Sequence, residues 1–199
     1  MNRPERMMES VSRLMARIGG GLLFAAAFIV AIEVGLRYTG LAYVSVATEL
    51  SSYALAVGAS WAMAYVVFER AHVRVDVIAQ RLPLYPKAVL DILGMCSLAV
   101  VGAVLSFGAI EMVQTSLGLS ARANTTLGTP LALPQGAWTI GLVWFTAIAG
   151  YRTACAVAAL FSANLARVTA IAGTPTSNEE VEVAIIETKH RLTDGEKRA

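Results

Sequence analysis

The charged residues in the apolar stretches of this sequence are few, and their spacing is that of ion pairs and helix ends. Glu33 precedes Arg37 by four residues, which places a carboxylate and a guanidinium on one helix face in the favoured order. We interpret them as a structural ion pair, and a functional carboxylate at Glu33 is the alternative. Glu49 opens the next apolar run, where the helix dipole favours a negative charge, and Ser45 or Thr48 is the predicted N-cap.

The densest group of charges is ERAHVRVDVIAQRL, residues 69–82, which we call the collar. Val73, Val77 and Leu84 can face lipid while Arg70, Arg74 and Arg81 face headgroups, which predicts an amphipathic helix along the membrane surface; a solvated loop is the alternative. His72 is a candidate pH sensor, although we expect a hydrogen-bonded structural role. The collar residues that we expect to contact lipid headgroups or a protein partner are Arg70, His72, Arg74, Asp76 and Arg81.

Other kinds of chemistry find little support in the residues. Cys96 and Cys155 each lie within an apolar run, and neither belongs to a C-x-x-C or metal-ligand pattern. Both histidines lie outside the apolar runs, so they are not placed to ligate a haem between helices. We therefore predict no catalytic residue, no metal and no cofactor. The net charge of +2 is too small to suggest nucleic acid as a partner.

The composition is that of a multi-pass membrane protein. Of the 199 residues, 56% are hydrophobic and 15% are charged, against about 25% charged residues in soluble domains. The 19 residues from Leu50 to Phe68 carry no charge, and together with their flanking glutamates they span about 30 Å as a helix, the thickness of a bilayer's hydrocarbon core. The first apolar run has no cleavage site after it, so we expect a retained helix rather than a signal peptide.

We predict an all-α membrane protein with four transmembrane helices, at residues 18–36, 50–68, 92–115 and 136–161. An interfacial helix over residues 4–17 precedes the first span, and the collar helix lies between spans two and three. Residues 1–172 form the membrane domain, and residues 173–199 form a mobile tail. Two stripes of small residues predict close helix packing: Ala54, Gly58 and Ala62 in span two, and Gly150, Ala154, Ala158 and Ser162 in span four.

Lysine and arginine residues predict the orientation. They are concentrated before span one, in the collar and after span four, whereas the 1–2 and 3–4 links contain only Arg37 and Arg122. The positive-inside rule therefore places both termini and the collar in the cytoplasm and the 3–4 link outside. Arg152, near the far end of span four, is expected to extend its side chain to the interface.

Several of these segments resemble a known family. Glu49-Leu50-Ser51 opening a span, Gly58-Ala59 within it, the string HVRVD at residues 72–76, and TPLALPQ at residues 129–135 are similar to the small membrane subunit of tripartite ATP-independent periplasmic (TRAP) transporters, the DctQ-like family. The resemblance covers about residues 15–165. It implies a large multi-span subunit that holds the substrate and sodium sites, and a soluble periplasmic protein that delivers the solute, often an organic acid.

The resemblance implies a non-catalytic permease subunit in a bacterial inner membrane that braces the large subunit during sodium-driven uptake. Glu49 and the collar residues His72, Arg74 and Asp76 would hold helix ends, lipid headgroups and the large subunit. The 3–4 link would meet the periplasmic partner through Arg122, Thr129, Pro130 and Pro134. The alternatives are a four-helix membrane enzyme or redox protein with an interfacial site, and a small autonomous exporter that uses Glu33.

Overall fold

Five helices account for most of the chain that the structure describes. In this computed structural model the described residues are 3–40, 46–70, 82–125, 127–162, 165–173 and 185. The helices are α1 (Arg3–Tyr38), α2 (Ala47–Phe68), α3 (Leu84–Gly118), α4 (Ala132–Phe161) and α5 (Leu165–Ala172). The described residues contain no strand, and one antiparallel bridge joins Arg122 to Pro130.

Four of these helices, α1 to α4, are long and apolar enough to cross a membrane. The predicted all-α class with four spans is therefore confirmed. Helices α1 and α3 contain 36 and 35 residues, which corresponds to more than 50 Å at about 1.5 Å per residue. Both are much longer than the ~30 Å hydrocarbon core, so they either tilt or extend beyond it.

The structure describes one of the two predicted interfacial segments, residues 4–17, but leaves most of the other, the collar, undescribed. Residues 4–17 form the first part of α1 and continue without a break into span one, and their position in the membrane interface stays a prediction. Residues 71–81 of the collar lie outside the described residues, so the collar helix is not tested. Of the predicted tail, only residues 173 and 185 are described.

The packing of the long helices gives the lateral order α1–α2–α4–α3. Helix α1 packs against α2, α2 against α4, and α4 against α3, while α5 packs on both α3 and α4. Helices α1 and α3 are therefore the two outer members of the layer. The order also explains why the buried share of each apolar segment is 33% for α2 and α4 but only 11% for α1 and 22% for α3.

Glycines make the closest helix crossings. A Cβ atom at Gly19 would lie 2.8 Å from the carbonyl oxygen of Gly58, and one at Gly58 would lie 2.9 Å from that of Gly19. At Gly141 a Cβ would approach the Ser60 hydroxyl to 2.5 Å, and at Gly102 it would approach the Thr146 hydroxyl to 2.8 Å. The three helix pairs thus meet where one partner lacks a side chain, as is common between membrane helices.

Of the two predicted small-residue stripes, one contacts a neighbouring helix and the other does not. Gly58 of the first stripe lies at the α1–α2 crossing, as predicted. The prediction for the second stripe is wrong, because Gly150 has no neighbour within 4 Å of a Cβ position and Ala154, Ala158 and Ser162 are exposed. Helix α4 instead packs through a different face, which buries Phe145, Ile148, Ala149, Ala156 and Ala159.

Helix α5 was not predicted, and it closes one end of the layer. Its Val168 is fully buried against Ala88 at the start of α3 and Ala159 near the end of α4. The first turns of α3 and the last turns of α4 therefore form a second small core. Pro86 lies in the first turn of α3, where its missing N–H costs no helical hydrogen bond.

We predict that the α1–α2 crossing tolerates no added methyl group. Gly19→Ala and Gly58→Ala should each destabilise the subunit by about 1–3 kcal/mol, because backbone rather than a flexible side chain must move. The measurement is SDS-induced unfolding of the detergent-solubilised protein. Gly20→Ala is the matched control, since nothing lies within 4 Å of its Cβ position. An equal loss of stability in the Gly20→Ala and Gly58→Ala variants would contradict the close crossing.

Candidate interaction sites at the ends of the helices

Glu33 joins α1 to the beginning of α2. One carboxylate oxygen accepts a hydrogen bond from Arg37 Nη2 at 2.9 Å, and the other accepts one from the backbone N–H of Ala47 at 2.6 Å. Its side chain is only 16% exposed, whereas that of Arg37 is 60% exposed. Glu33 therefore forms the ion pair with Arg37 and also caps a second helix.

This capping corrects the predicted start of α2. Val46, not Ser45 or Thr48, precedes the first helical residue, and it makes no side-chain capping bond. The Glu33 carboxylate takes the place of an N-cap side chain at Ala47. The arrangement is favourable because a negative charge meets both an unpaired N–H and the positive end of the helix dipole.

Glu49 joins the beginning of α2 to the link between α3 and α4. It is 6% exposed. It accepts hydrogen bonds from the Tyr53 hydroxyl at 2.8 Å and from the Thr125 hydroxyl. The hydroxyl and amide of Thr129 face the same carboxylate. A buried carboxylate needs such donors to replace its lost hydration, so the link and the helix end stabilise each other.

The 3–4 link has its own regular backbone. Ser120, with φ 47°, ends α3 with hydrogen bonds from Ser120 N to Leu117 O and from Ala121 N to Ser116 O, which is the Schellman pattern. Beyond it, the Ala123 amide donates to the Thr129 carbonyl at 2.9 Å and the Leu131 amide to the Ala121 carbonyl at 3.0 Å. The link is therefore a short hairpin-like loop rather than an irregular connection.

The four predicted contact residues of this link occupy distinct positions. Arg122 is exposed, and it donates to the carbonyl of Gly128 at 3.3 Å. Pro130 forms the bridge with Arg122, and Thr129 faces Glu49. Pro134 lies in the first turn of α4. The structure thus brings Thr129 together with Glu49, while Pro134 belongs to the start of a helix.

Only the edges of the collar are described. Arg70 follows α2 with a left-handed backbone, φ 56°, and its amide donates to the carbonyl of Val67 at 3.3 Å. His72, Arg74, Asp76 and Arg81 lie outside the described residues. Their predicted contacts with lipid or with a protein partner therefore stay predictions.

Arg152 connects three helices at the collar end of the layer. Its guanidinium donates to the carbonyl of Ile171 in the last turn of α5 at 2.7 Å, and it lies 5.3 Å from the ring centroid of Phe68 at the end of α2. These contacts hold the side chain against the protein, and its predicted extension to the membrane interface stays a prediction. A cation is favourable both at a helix C-terminus and over an aromatic ring.

A polar contact deeper in the layer joins α1 to α4. The indole N–H of Trp144 donates to the hydroxyl of Ser12 at 3.0 Å, and Ser12 is fully buried. Beside it, a groove of about 330 Å³ runs between α1 and α4, lined by Val11, Met15, Thr139, Ile140, Val143, Trp144 and Ala147. No charged residue lines the groove, so it offers an organic anion no ion pair.

The sequence analysis missed Thr125, Ser12 and Trp144. A buried carboxylate at a helix start signals that donors must come from elsewhere, and a tryptophan in a membrane helix signals a need for an acceptor. Neither signal identifies the partner, which is 76 residues away for Glu49 and 132 residues away for Trp144. Among the described residues, no group of three or more His, Cys, Asp or Glu residues is arranged to hold a metal ion.

Four long apolar helices, with charged contacts gathered at their ends, define a multi-pass membrane protein. A family model for the DctQ component of tripartite ATP-independent periplasmic transporters matches residues 26–159, which is well over half of the chain. The chain therefore belongs to the DctQ family and is a transporter component, not an enzyme. Neither the curated proteins nor the solved structures compared with the chain give a match.

We predict that Glu49 and Thr125 are energetically coupled. Glu49→Ala and Thr125→Val should each cost about 1–3 kcal/mol, because each leaves a polar group without its partner. The double variant should lose less stability than the sum of the two single losses, by about 0.5–3 kcal/mol, as measured by SDS-induced unfolding.

Ser51→Ala is the control for this cycle. The Ser51 hydroxyl donates only to the carbonyl of Thr48 within its own helix, at 3.1 Å, so combining it with Glu49→Ala should give additive losses. If the stability losses of Glu49→Ala and Thr125→Val simply add in the double variant, this contact does not hold the link.

Proposed function

We propose that this chain is the small permease subunit of a TRAP-type secondary transporter and that it braces the large membrane subunit. The transporter takes up an organic acid with sodium, after a periplasmic binding protein has delivered the solute. The observation that carries the proposal is the match of residues 26–159 to the DctQ component.

The contacts between the helices support a bracing role. Neutral side chains make polar contacts between these helices away from their ends: Ser106 of α3 meets Thr146 of α4 at 2.9 Å, and Trp61 of α2 donates to the carbonyl of Ala137 of α4 at 2.9 Å. A carrier that works alone usually places ionisable groups and interrupted helices at mid-depth. Helices α2, α3 and α4 instead run without interruption through these contacts.

The surroundings of the subunit follow from its charges. We place it in a bacterial inner membrane with both termini and the collar in the cytoplasm, since Arg3, Arg6, Arg13 and Arg17 all lie in the first half of α1. Arg70, His72, Arg74, Asp76 and Arg81 then face lipid headgroups or the large subunit. The hairpin-like 3–4 link faces the periplasm, where Arg122, Thr129, Pro130 and Pro134 are close to the docking position of the binding protein.

Purification of the complex tests the proposal. Affinity-tagged protein extracted in a mild detergent should bring down a large multi-span membrane protein in a fixed ratio. Vesicles that contain both subunits should accumulate an organic acid when a sodium gradient and the binding protein are present. Vesicles that contain this chain alone should not. Sodium-driven uptake by the chain alone would overturn the proposal.

The second candidate, an autonomous exporter that uses Glu33, predicts a different result. Both carboxylate oxygens of Glu33 are occupied, by Arg37 and by the amide of Ala47. Glu33→Gln should therefore weaken the start of α2 by about 1 kcal/mol and leave transport by the complex largely intact. The measurements are SDS-induced unfolding and the initial uptake rate at equal protein. Complete loss of transport in a folded Glu33→Gln variant would favour the exporter.

A further inference from the structure

We propose that the outward edge of α3 is where a membrane helix of the large subunit docks, and that this helix carries a basic side chain opposite Glu111. The inference rests on the proposed function, because it names the surface that the large subunit uses.

Glu111 points directly away from the rest of the subunit. At about 100° per residue, Leu93, Val100, Val104 and Phe107 all lie within about 40° of Glu111 around the helix axis. All four are more than half exposed. The glycine that packs against α4, Gly102, lies about 180° away. Because α3 is an outer member of the layer, Glu111 stands at the outer end of an apolar stripe that the described part of the chain leaves uncovered.

The end of α3 and the contacts around it show how far Glu111 lies from the outer end of the layer. Helix α3 continues for seven residues to Gly118, which adds about 10 Å. The 3–4 link follows, and its Thr125 contacts Glu49, the residue just before the 19-residue apolar segment of α2. Thr139, two turns into α4, is level with Ala109, since its hydroxyl lies 3.5 Å from the Ala109 carbonyl. Glu111 therefore lies about two turns before the end of α3, and about one turn inside the span predicted at residues 92–115.

Among the described residues, no basic side chain forms an ion pair with the Glu111 carboxylate. The ion pairs found there are Glu9 with Arg13 and Glu33 with Arg37. The one side-chain hydrogen bond found there at Glu111 runs from the Thr115 hydroxyl to the backbone carbonyl of Glu111, at 2.9 Å, and not to its carboxylate. Glu33, at the other edge of the layer, has both of its oxygens occupied within the chain. The two edges therefore differ: among the described residues of α1 and α3, the acidic side chain that faces outward without an ion pair is Glu111.

A basic residue on a neighbouring membrane helix meets that need. Ionisable side chains within membrane spans almost always face other protein groups and pair with one another. A lysine or arginine opposite Glu111 would remove the cost of the charge, while the apolar stripe packs against the same helix. The contact would also fix the depth and the rotation of the large subunit against α3.

Site-specific photo-crosslinking tests the docking edge. A photo-reactive p-benzoylphenylalanine is introduced in place of Phe107 on α3 or of Phe28 on α1, two exposed phenylalanines at opposite edges of the layer. Upon irradiation of membranes that contain both subunits, position 107 should give an adduct with the large subunit, in several-fold excess over position 28. Equal labelling of the two positions, or adducts of lipid alone at position 107, would overturn the proposal.

Charge variants test the role of the carboxylate. Glu111→Leu and Glu111→Lys should each lower the amount of large subunit that co-purifies at least about tenfold, because the partner's cation is left unpaired or repelled. Val100→Leu, within the same stripe, should leave the ratio unchanged. The isolated variants should be as stable to SDS-induced unfolding as the unmodified chain, since Glu111 points away from α4. Full recovery of the complex with Glu111→Lys would overturn the proposal.

These outcomes separate the inference from the proposed function. If the unmodified chain co-purifies with no large membrane protein, the proposed function fails. If it does co-purify but the α3 edge gives no adduct and tolerates Glu111→Lys, the proposed function stands and the docking edge is wrong.

Discussion

The lack of water in the bilayer core is the constraint on which this structure depends. Apolar side chains gain little by leaving lipid for one another, so close packing and hydrogen bonds must hold the helices together. The crossing of Gly19 and Gly58 satisfies the first requirement by letting two backbones touch. The bonds between Ser106 and Thr146 and between Trp144 and Ser12 satisfy the second. Glu33, Glu49 and Arg152 are placed where helices begin or end, because there they find helix dipoles and backbone or hydroxyl groups.

The sequence predicts features that depend on local spacing. Four spans follow from the lengths of the apolar runs, and the ion pair of Glu33 with Arg37 follows from a separation of four residues on a helix. The position of Gly58 in a repeat of small residues also indicated a helix contact. In each case the interacting groups are near neighbours in the chain, or the property belongs to one helix alone.

Features that depend on which helices are neighbours could not be predicted. The cap that Glu33 gives to Ala47 and the contact of Glu49 with Thr125 both join separate elements, and nothing in the spacing identifies the partner. The small-residue stripe that begins at Gly150 has the same pattern as the one at Gly58, yet it is exposed. The sequence pattern shows that a helix face can pack closely, but only the lateral order of the helices decides whether a neighbour is present.

The shape of the layer favours a role that is exercised through its surfaces. Contacts at both ends restrain the helices, through Glu33 and Glu49 at one end and through Arg152 at the other. A carrier needs a polar cavity that opens alternately to the two sides, whereas the groove between α1 and α4 is apolar and lies at the side of the layer. Four restrained helices in a row instead offer long outer surfaces of fixed geometry. In the proposed complex, the moving large subunit is held against such a surface, and the charge of Glu111 on one edge would select where it is held.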